Sequence, residues 1–193
     1  MEQEADAAAL DPGRPAPEAA PADRKTAGDA ARERAFLDVL AAQGRRLRRI
    51  ASSFGRGADA EDLYQEIACQ LWRGLSSYRG EAALGTWVYR VALNTALTHS
   101  RRRQRRRGEE LMPNDVLAQA PGGETGAGGP RTEEAILEDF LSSLGDVDRS
   151  VLILYLDGLS YLQVSEVTGL SPGLVGVRLH RIKKAYVQRY VGG

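Results

Sequence analysis

The 193-residue chain is poor in the residues that build several common kinds of site. Its single cysteine, Cys69, excludes a disulfide framework and a cysteine-rich zinc site, and we expect it to be a small buried residue in a reducing compartment. No apolar run approaches the roughly 20 residues that span a bilayer, and the acidic, proline-rich start is unlike a secretory signal. These absences favour a cytoplasmic protein that inserts into no membrane.

Recognisable catalytic motifs are also lacking. There is no phosphate-binding loop, dinucleotide fingerprint, HExxH helix or nucleophile elbow. His99 and His180 are far apart in sequence and lie beside arginines, which is typical of surface residues or phosphate contacts. The stretch DAEDLYQE offers four carboxylates, but no His or Cys lies near it to complete a site, so a solvated or protein-docking face is favoured over a metal site or an acid–base pair. We therefore expect no enzyme activity, no cofactor and no metal.

Net charge is zero, but the charges are segregated along the chain. From Arg45 to Arg107 there are fourteen arginines, no lysine and five acids. The segment 171–193 has five basic residues and no acid. Two basic blocks separated by neutral or acidic sequence indicate two contacts with a polyanion.

Two stretches of low complexity divide the chain. Residues 1–30 are rich in Ala, Pro, Asp and Glu and are expected to form a disordered tail. Residues 108–132, which contain PGGETGAGGP, are expected to form a flexible linker. Two compact units remain, residues 31–107 and residues 133–191. Apolar residues recur at helical spacing in both, and no strand is convincing, so the sequence predicts an all-α fold of two small helical domains.

Capping signals predict three helices in the first unit. Gly55 and Gly57 are expected to end the first helix, and Asp59 is expected to cap the second. The third helix is expected to run from Thr86 to about Arg107.

The second unit is predicted to contain four helices, of which the first two cover residues 132–144 and 146–156. Ser160 is predicted to cap a short third helix that ends at Gly169, and Ser171 to cap the last helix. A short helix, a glycine-containing turn and a capped basic helix are typical of a helix-turn-helix, with an ordinary helical hairpin as the alternative.

The two units resemble conserved regions of the small bacterial sigma factors of the extracytoplasmic-function type, in the sigma-70 family. The stretch DAEDLYQEIACQLWRGLSSYRGEAALGTWVYRVALNTALTHSRRR resembles region 2, and LSSLGDVDRSVLILYLDGLSYLQVSEVTGLSPGLVGVRLHRIKKAY resembles region 4. The resemblance implies a non-enzymatic subunit that binds core RNA polymerase, recognises promoter DNA, melts it and directs transcription initiation at a specific regulon. An anti-sigma factor is an expected partner because the family commonly has one.

The resemblance also implies contacts for the first unit. Its acidic helix is expected to bind the clamp helices of core polymerase, while region 4 meets the flap. The loop and third helix are expected to capture a flipped base and read the −10 element, although a core role for Trp87 is an equal alternative. The arginine run is expected to contact phosphates. The expected polymerase contacts are Asp59, Asp62, Leu63, Gln65 and Glu66. The expected −10 contacts are Tyr78, Arg79, Glu81, Trp87, Tyr89, Arg90, Asn94, Arg101, Arg102 and Arg103.

The last helix is expected to enter the major groove at the −35 element. Helical spacing predicts that Val175, Leu179 and Ile182 pack inwards and leave the opposite face for DNA. Gly176 and Val177 depart from the family pattern, so discrimination at −35 is predicted to be modest. The expected −35 contacts are Ser171, Gly173, Val177, Arg178, His180, Arg181 and Lys184.

Two other classes of protein would explain part of the chain. A free-standing helix-turn-helix regulator accounts for the C-terminal unit but leaves DAEDLYQE and GTWVYRVALNT without a purpose. A regulatory decoy, which binds polymerase or an inhibitor without reading DNA productively, stays open because the recognition helix departs from the family pattern.

Overall fold

The computed structural model describes residues 21–107 and 132–190, which form helices joined by short turns. These residues contain no β-strand, and the all-α prediction is confirmed. The helices are α1 (Pro21–Phe54), α2 (Ala58–Leu75), α3 (Leu84–Arg107), α4 (Glu133–Ser143), α5 (Asp146–Leu156), α6 (Tyr161–Thr168) and α7 (Pro172–Tyr190).

The N-terminal unit is formed by α1, α2 and α3, which pack against one another. Helix α2 buries Leu63, Ile67 and Leu71, which recur every four residues and so share one face of the helix. Phe54 of α1 and Ala92 of α3 are buried in the same core. One apolar face of each helix is thereby removed from water, which is the main favourable contribution to folding.

Helix α1 begins at Pro21, so the prediction of disorder over residues 1–30 is wrong for its last part; residues 1–20 lie outside the described part of the chain. Arg32 connects the early part of α1 to α2. Its Nε donates a hydrogen bond of 3.0 Å to the Trp72 carbonyl, and its guanidinium lies 4.3 Å from the centroid of the Trp72 ring. A helix anchored in this way extends readily through the alanine-rich segment before it.

Glycines separate α1 from α2. Gly57 has a φ of 56°, a left-handed conformation that side chains disfavour, and it is the N-cap of α2. The prediction that Asp59 caps this helix is therefore wrong. Asp59 lies in the first turn of α2, where a carboxylate still interacts favourably with the positive end of the helix dipole.

The C-terminal unit is formed by α4 to α7, and its capping predictions are confirmed. Ser160 and Gln163 form a reciprocal capping box at the start of α6, and Gly169 ends that helix with a φ of 76°. Ser171 Oγ accepts a hydrogen bond of 3.3 Å from the Leu174 amide in the first turn of α7. Helices α6 and α7 pack on each other and on α5, as in a helix-turn-helix.

The two units also pack on each other. Helices α1 and α3 contact α4, α5 and α6. At this boundary the Arg149 guanidinium lies 5.0 Å from the centroid of the Phe54 ring. Arg149 is buried, and its Nε and Nη2 donate to the carbonyls of Leu141 and Leu144 over 2.9 and 2.7 Å. Residues 108–131 of the linker, which is predicted to end at 132, lie outside the described residues.

Candidate nucleic-acid interface

The acidic face predicted on α2 is only partly available to a partner. Asp62 and Gln65 are exposed, whereas Leu63 is fully buried beside Ile67. The prediction that Leu63 contacts a partner is therefore wrong, because it belongs to the apolar stripe that packs on α1 and α3. Cys69, expected to be buried, is an exposed free cysteine.

Three cationic or titratable side chains of α3 contact two other acids of α2, Asp59 and Glu66. His99 Nε2 lies 2.8 Å from Asp59 Oδ1, and His99 Nδ1 lies 3.4 Å from Glu66 Oε2. Arg103 donates to Asp59 over 2.8 Å, and Arg102 donates to Glu66 over 3.2 Å. The prediction that no histidine lies near these acids is wrong, because packing of α3 on α2 brings together residues 40 positions apart in sequence.

His99 is buried within this network, whereas its sequence neighbours indicate a surface residue or a phosphate contact. Burial is the largest influence on Asp59 and raises its pKa, but hydrogen bonds with His99 and Arg103, together with their charges, lower the pKa below its ordinary value. No group of three His, Cys, Asp or Glu side chains in the described ranges could hold a metal ion.

The loop between α2 and α3 is built around an aromatic pair. The rings of Tyr78 and Trp87 have centroids 5.2 Å apart, and the Tyr78 hydroxyl donates to the Ala82 carbonyl over 2.6 Å. A Cβ on Gly74 would lie 2.8 Å from Trp87 Cζ2, so Trp87 requires a glycine there. Trp87 is half-buried and packs against the core. Arg79 and Glu81, on the same loop, are exposed.

The predicted DNA-reading face of α3 is partly covered by the C-terminal unit. Tyr89 is 5% exposed, and its hydroxyl donates to Asp157 Oδ2 over 3.1 Å. Burial is the largest of the effects that raise the pKa of Tyr89, followed by the negative charge of Asp157. Arg90 donates to the carbonyl of Glu166 over 2.8 Å. Asn94, one turn further along α3, is exposed, and so is Arg101.

The two faces of α7 are arranged as the sequence predicts. Val175, Leu179 and Ile182 are buried against the rest of the C-terminal unit. Val177 is 57% exposed on the opposite side. The other exposed predicted contacts on and before this helix are Ser171, Gly173, His180, Arg181 and Lys184. The outward face therefore offers the apolar Val177 together with several cationic or polar side chains to a groove.

Arg178 departs from this arrangement, and the prediction that it contacts the −35 element is wrong. It is 5% exposed, and its Nη1 lies 2.7 Å from Oδ1 of Asp148, which is equally buried in α5. Its position, three residues after Val175 and four before Ile182, is on the inward stripe of α7. The ion pair joins α7 to α5 inside the fold.

No helix in the described ranges is both long and apolar enough to cross a bilayer. Together, the helix-turn-helix with a cationic outward face, the arginine-rich α3 and the acidic α2 define a helical protein of the nucleic-acid-binding class.

Comparison with known families identifies the class further. The sigma-70 region 2 family matches residues 40–106, and the sigma-70 region 4 family matches residues 134–185. RNA polymerase sigma factor YlaC of Bacillus subtilis (strain 168) is 32% identical over 126 residues, covering 64% of this chain and 73% of the relative. The ECF RNA polymerase sigma-E factor of Escherichia coli (strain K12) is 24% identical over 162 residues, covering 79% of this chain and 85% of the relative.

Solved structures share the fold. CnrH in complex with the cytosolic domain of CnrY has a TM-score of 0.57 at 23% identity, over 89% of this chain and 97% of that one. The sigma factor RpoE in complex with the anti-sigma factor NepR from Bartonella quintana has a TM-score of 0.59 at 22% identity, over 81% and 94%.

The chain therefore belongs to the sigma-70 family of RNA polymerase sigma factors, in its extracytoplasmic-function group. It is a sigma factor, which binds core RNA polymerase and directs transcription initiation at promoters, rather than a free-standing regulator.

Proposed function

We propose that three separate surfaces of this sigma factor each bind a different partner during transcription initiation. The exposed part of α2, centred on Asp62 and Gln65, binds the clamp helices of core polymerase. The loop after α2 and the outward side of α3, centred on Asn94, read and open the −10 element. The outward side of α7, centred on Val177 and Arg181, reads the −35 element.

The observation that carries this proposal is the presence of two separate exposed faces suited to DNA in one chain. Asn94 is exposed on α3, and an amide that donates and accepts at once suits the edge of an adenine. Val177 and Arg181 are exposed on a helix-turn-helix, where a valine suits a thymine methyl and an arginine suits a guanine or a phosphate.

The ion pairs between α2 and α3 refine which residues meet each partner. Asp59 and Glu66 hold Arg103 and Arg102, so these four side chains chiefly set the angle between the two helices. These ion pairs are weak and sensitive to salt, because each of the four side chains is at least partly exposed. Arg101, which is exposed, is a better phosphate contact than Arg102 or Arg103, which pair with these acids.

An anti-sigma factor is the further partner that we propose, and the cytoplasm is the expected location. Support comes from the solved neighbours, since CnrH and RpoE were each determined with another protein bound, which for RpoE is the anti-sigma factor NepR. The chain is expected to carry out no chemistry of its own, with polymerase supplying all catalysis.

Run-off transcription with purified protein, core polymerase and a promoter selected from a random library tests the proposal. RNA is expected only when protein and core are both present. Tight binding to duplex DNA without polymerase would favour a free-standing regulator. Binding to polymerase with no transcript from any selected promoter would favour a decoy.

A further inference from the structure

Asp157, at the C-terminal end of α5, lies at the boundary between the two units. Its carboxylate is directed towards the N-terminal unit, where Oδ1 accepts from the Arg49 guanidinium and Oδ2 accepts from the Tyr89 hydroxyl over 3.1 Å. The Asp157 side chain is 1% exposed, whereas that of Arg49 is 49% exposed. A carboxylate of one unit is thus enclosed by donors of the other.

Two further arginines lie near this carboxylate in addition to Arg49, which pairs with it. A cleft of about 550 Å³ lies beside it, lined by Arg45, Arg46 and Arg49 of α1 together with Asp157. Arg46 and Arg49 are near enough to Tyr89 that both oppose the rise in its pKa, which burial and Asp157 cause. Three arginines of α1 therefore line the cleft beside this carboxylate, and Arg49 pairs with it directly.

The enclosed donors lie next to the face that we assign to the −10 element. Tyr89 is on α3, and the adjacent Arg90 donates to the Glu166 carbonyl of α6 over 2.8 Å. Arg46 and Arg49 of α1 are near enough to Tyr89 to influence its ionisation, and α5 and α6 pack on α3.

We propose that Arg46, Arg49 and Tyr89 form a binding site for a backbone phosphate of promoter DNA, and that Asp157 occupies this site as a phosphate mimic while the two units are closed. This inference rests on the proposed −10 face of α3. A carboxylate presents two oxygens to an arginine fork and a hydroxyl, as the two free oxygens of a phosphodiester do. Binding of DNA at this site requires the C-terminal unit to move away.

The test compares variants of the full chain for binding to a fluorescent oligothymidine, without polymerase. Asp157→Ala removes the mimic, and Asp157→Asn keeps its shape without the charge. The control is Asp139→Ala, which removes an equal charge from the same unit but at a contact with Arg189 and Tyr190 of α7. Both Asp157 variants are expected to bind the strand about tenfold more tightly than the wild-type protein, as loss of one charged hydrogen-bonded competitor implies, and the control to match the wild type.

Arginine variants made on the Asp157→Ala protein identify the site. Arg49→Ala is expected to abolish the gain and to reduce the slope of log affinity against log salt by about 0.7, the value for one phosphate contact on a single strand. Arg48→Ala is the matched control, because its guanidinium lies 5.0 Å from the Tyr64 ring centroid, against α2. It is expected to keep most of the gain.

Dyes placed on Cys69 and on a cysteine introduced at Val187 report the separation of the units by energy transfer. Both positions are exposed, one on α2 and one on α7. Asp157→Ala is expected to lower the transfer. Equal DNA affinity of the Asp157 and Asp139 variants would overturn the phosphate site, and unchanged transfer would overturn the closure. Failure of the proposed function is distinguishable, because it would appear as wild-type protein that supports no polymerase-dependent transcription.

Discussion

Replacing Arg178 with alanine separates a structural role from a DNA contact on the same helix. Arg178 and Asp148 have side chains that are 6% and 5% exposed and lie 2.7 Å apart. Removing the guanidinium leaves the Asp148 carboxylate buried without that partner. Breaking a buried pair in this way costs about 3–5 kcal/mol, against a total stability of about 5–15 kcal/mol for a typical domain.

Arg181→Ala is the matched control, because Arg181 is one turn further along α7 but exposed. A surface change of this kind shifts stability by less than about 0.5 kcal/mol. Urea unfolding followed by circular dichroism measures both. We expect a large fall in midpoint for Arg178→Ala and almost none for Arg181→Ala, and equal midpoints would refute the buried ion pair.

The partner of Arg178 provides a second check. Asp148→Ala is expected to destabilise the protein about as much as Arg178→Ala, although the two residues lie on different helices, α5 and α7. The double replacement Arg178→Met with Asp148→Leu is expected to recover most of the loss, since apolar residues of similar size often replace a buried ion pair at little cost. A double variant as unstable as the two single variants combined would contradict this.

Three further predictions concern the N-terminal unit. Leu63→Ala is expected to cost about 2–5 kcal/mol of unfolding free energy by urea titration, whereas Asp62→Ala should weaken polymerase binding in a pull-down and leave stability unchanged. Gly74→Ala should displace Trp87, because the new Cβ would lie 2.8 Å from its ring, and shift the tryptophan emission. The lowered pKa of Asp59 means that its contribution to stability is present above its ordinary pKa of 3.8 and is lost as pH falls through the folded value. Asp59→Asn should therefore reduce the loss of unfolding free energy as the pH drops below about 4, and should leave the pH dependence above about 4 unchanged. The exposure of this carboxyl keeps the effect small.

Local signals in the sequence predicted the C-terminal unit well. Ser160, Gly169 and Ser171 mark helix ends through contacts with their own neighbours, so the boundaries of α6 and the start of α7 could be inferred without tertiary structure. The spacing of Val175 and Leu179 likewise predicted which side of α7 is buried. Such features depend on residues within one or two turns of each other.

Contacts between distant residues could not be inferred in this way. The pairing of Asp59 with His99 depends on how α3 crosses α2, which periodicity does not specify. The sequence predicts Arg178 as a −35 contact on a basic helix, whereas in the fold its burial is made favourable by the facing Asp148. The closure around Asp157 joins two units across a segment whose composition predicts flexibility.

The assignment of separate DNA faces to α3 and α7 is tested most directly by promoter selection with reconstituted holoenzyme. A library randomised at both elements is transcribed with wild-type protein, Asn94→Ala and Arg181→Ala, and the enriched sequences are compared. We predict that Asn94→Ala changes preference only within the −10 element and Arg181→Ala only within the −35 element, each by about 1–3 kcal/mol for a base that loses a direct contact. Variants that altered both elements together, or left both preferences unchanged while still supporting transcription, would contradict the assignment.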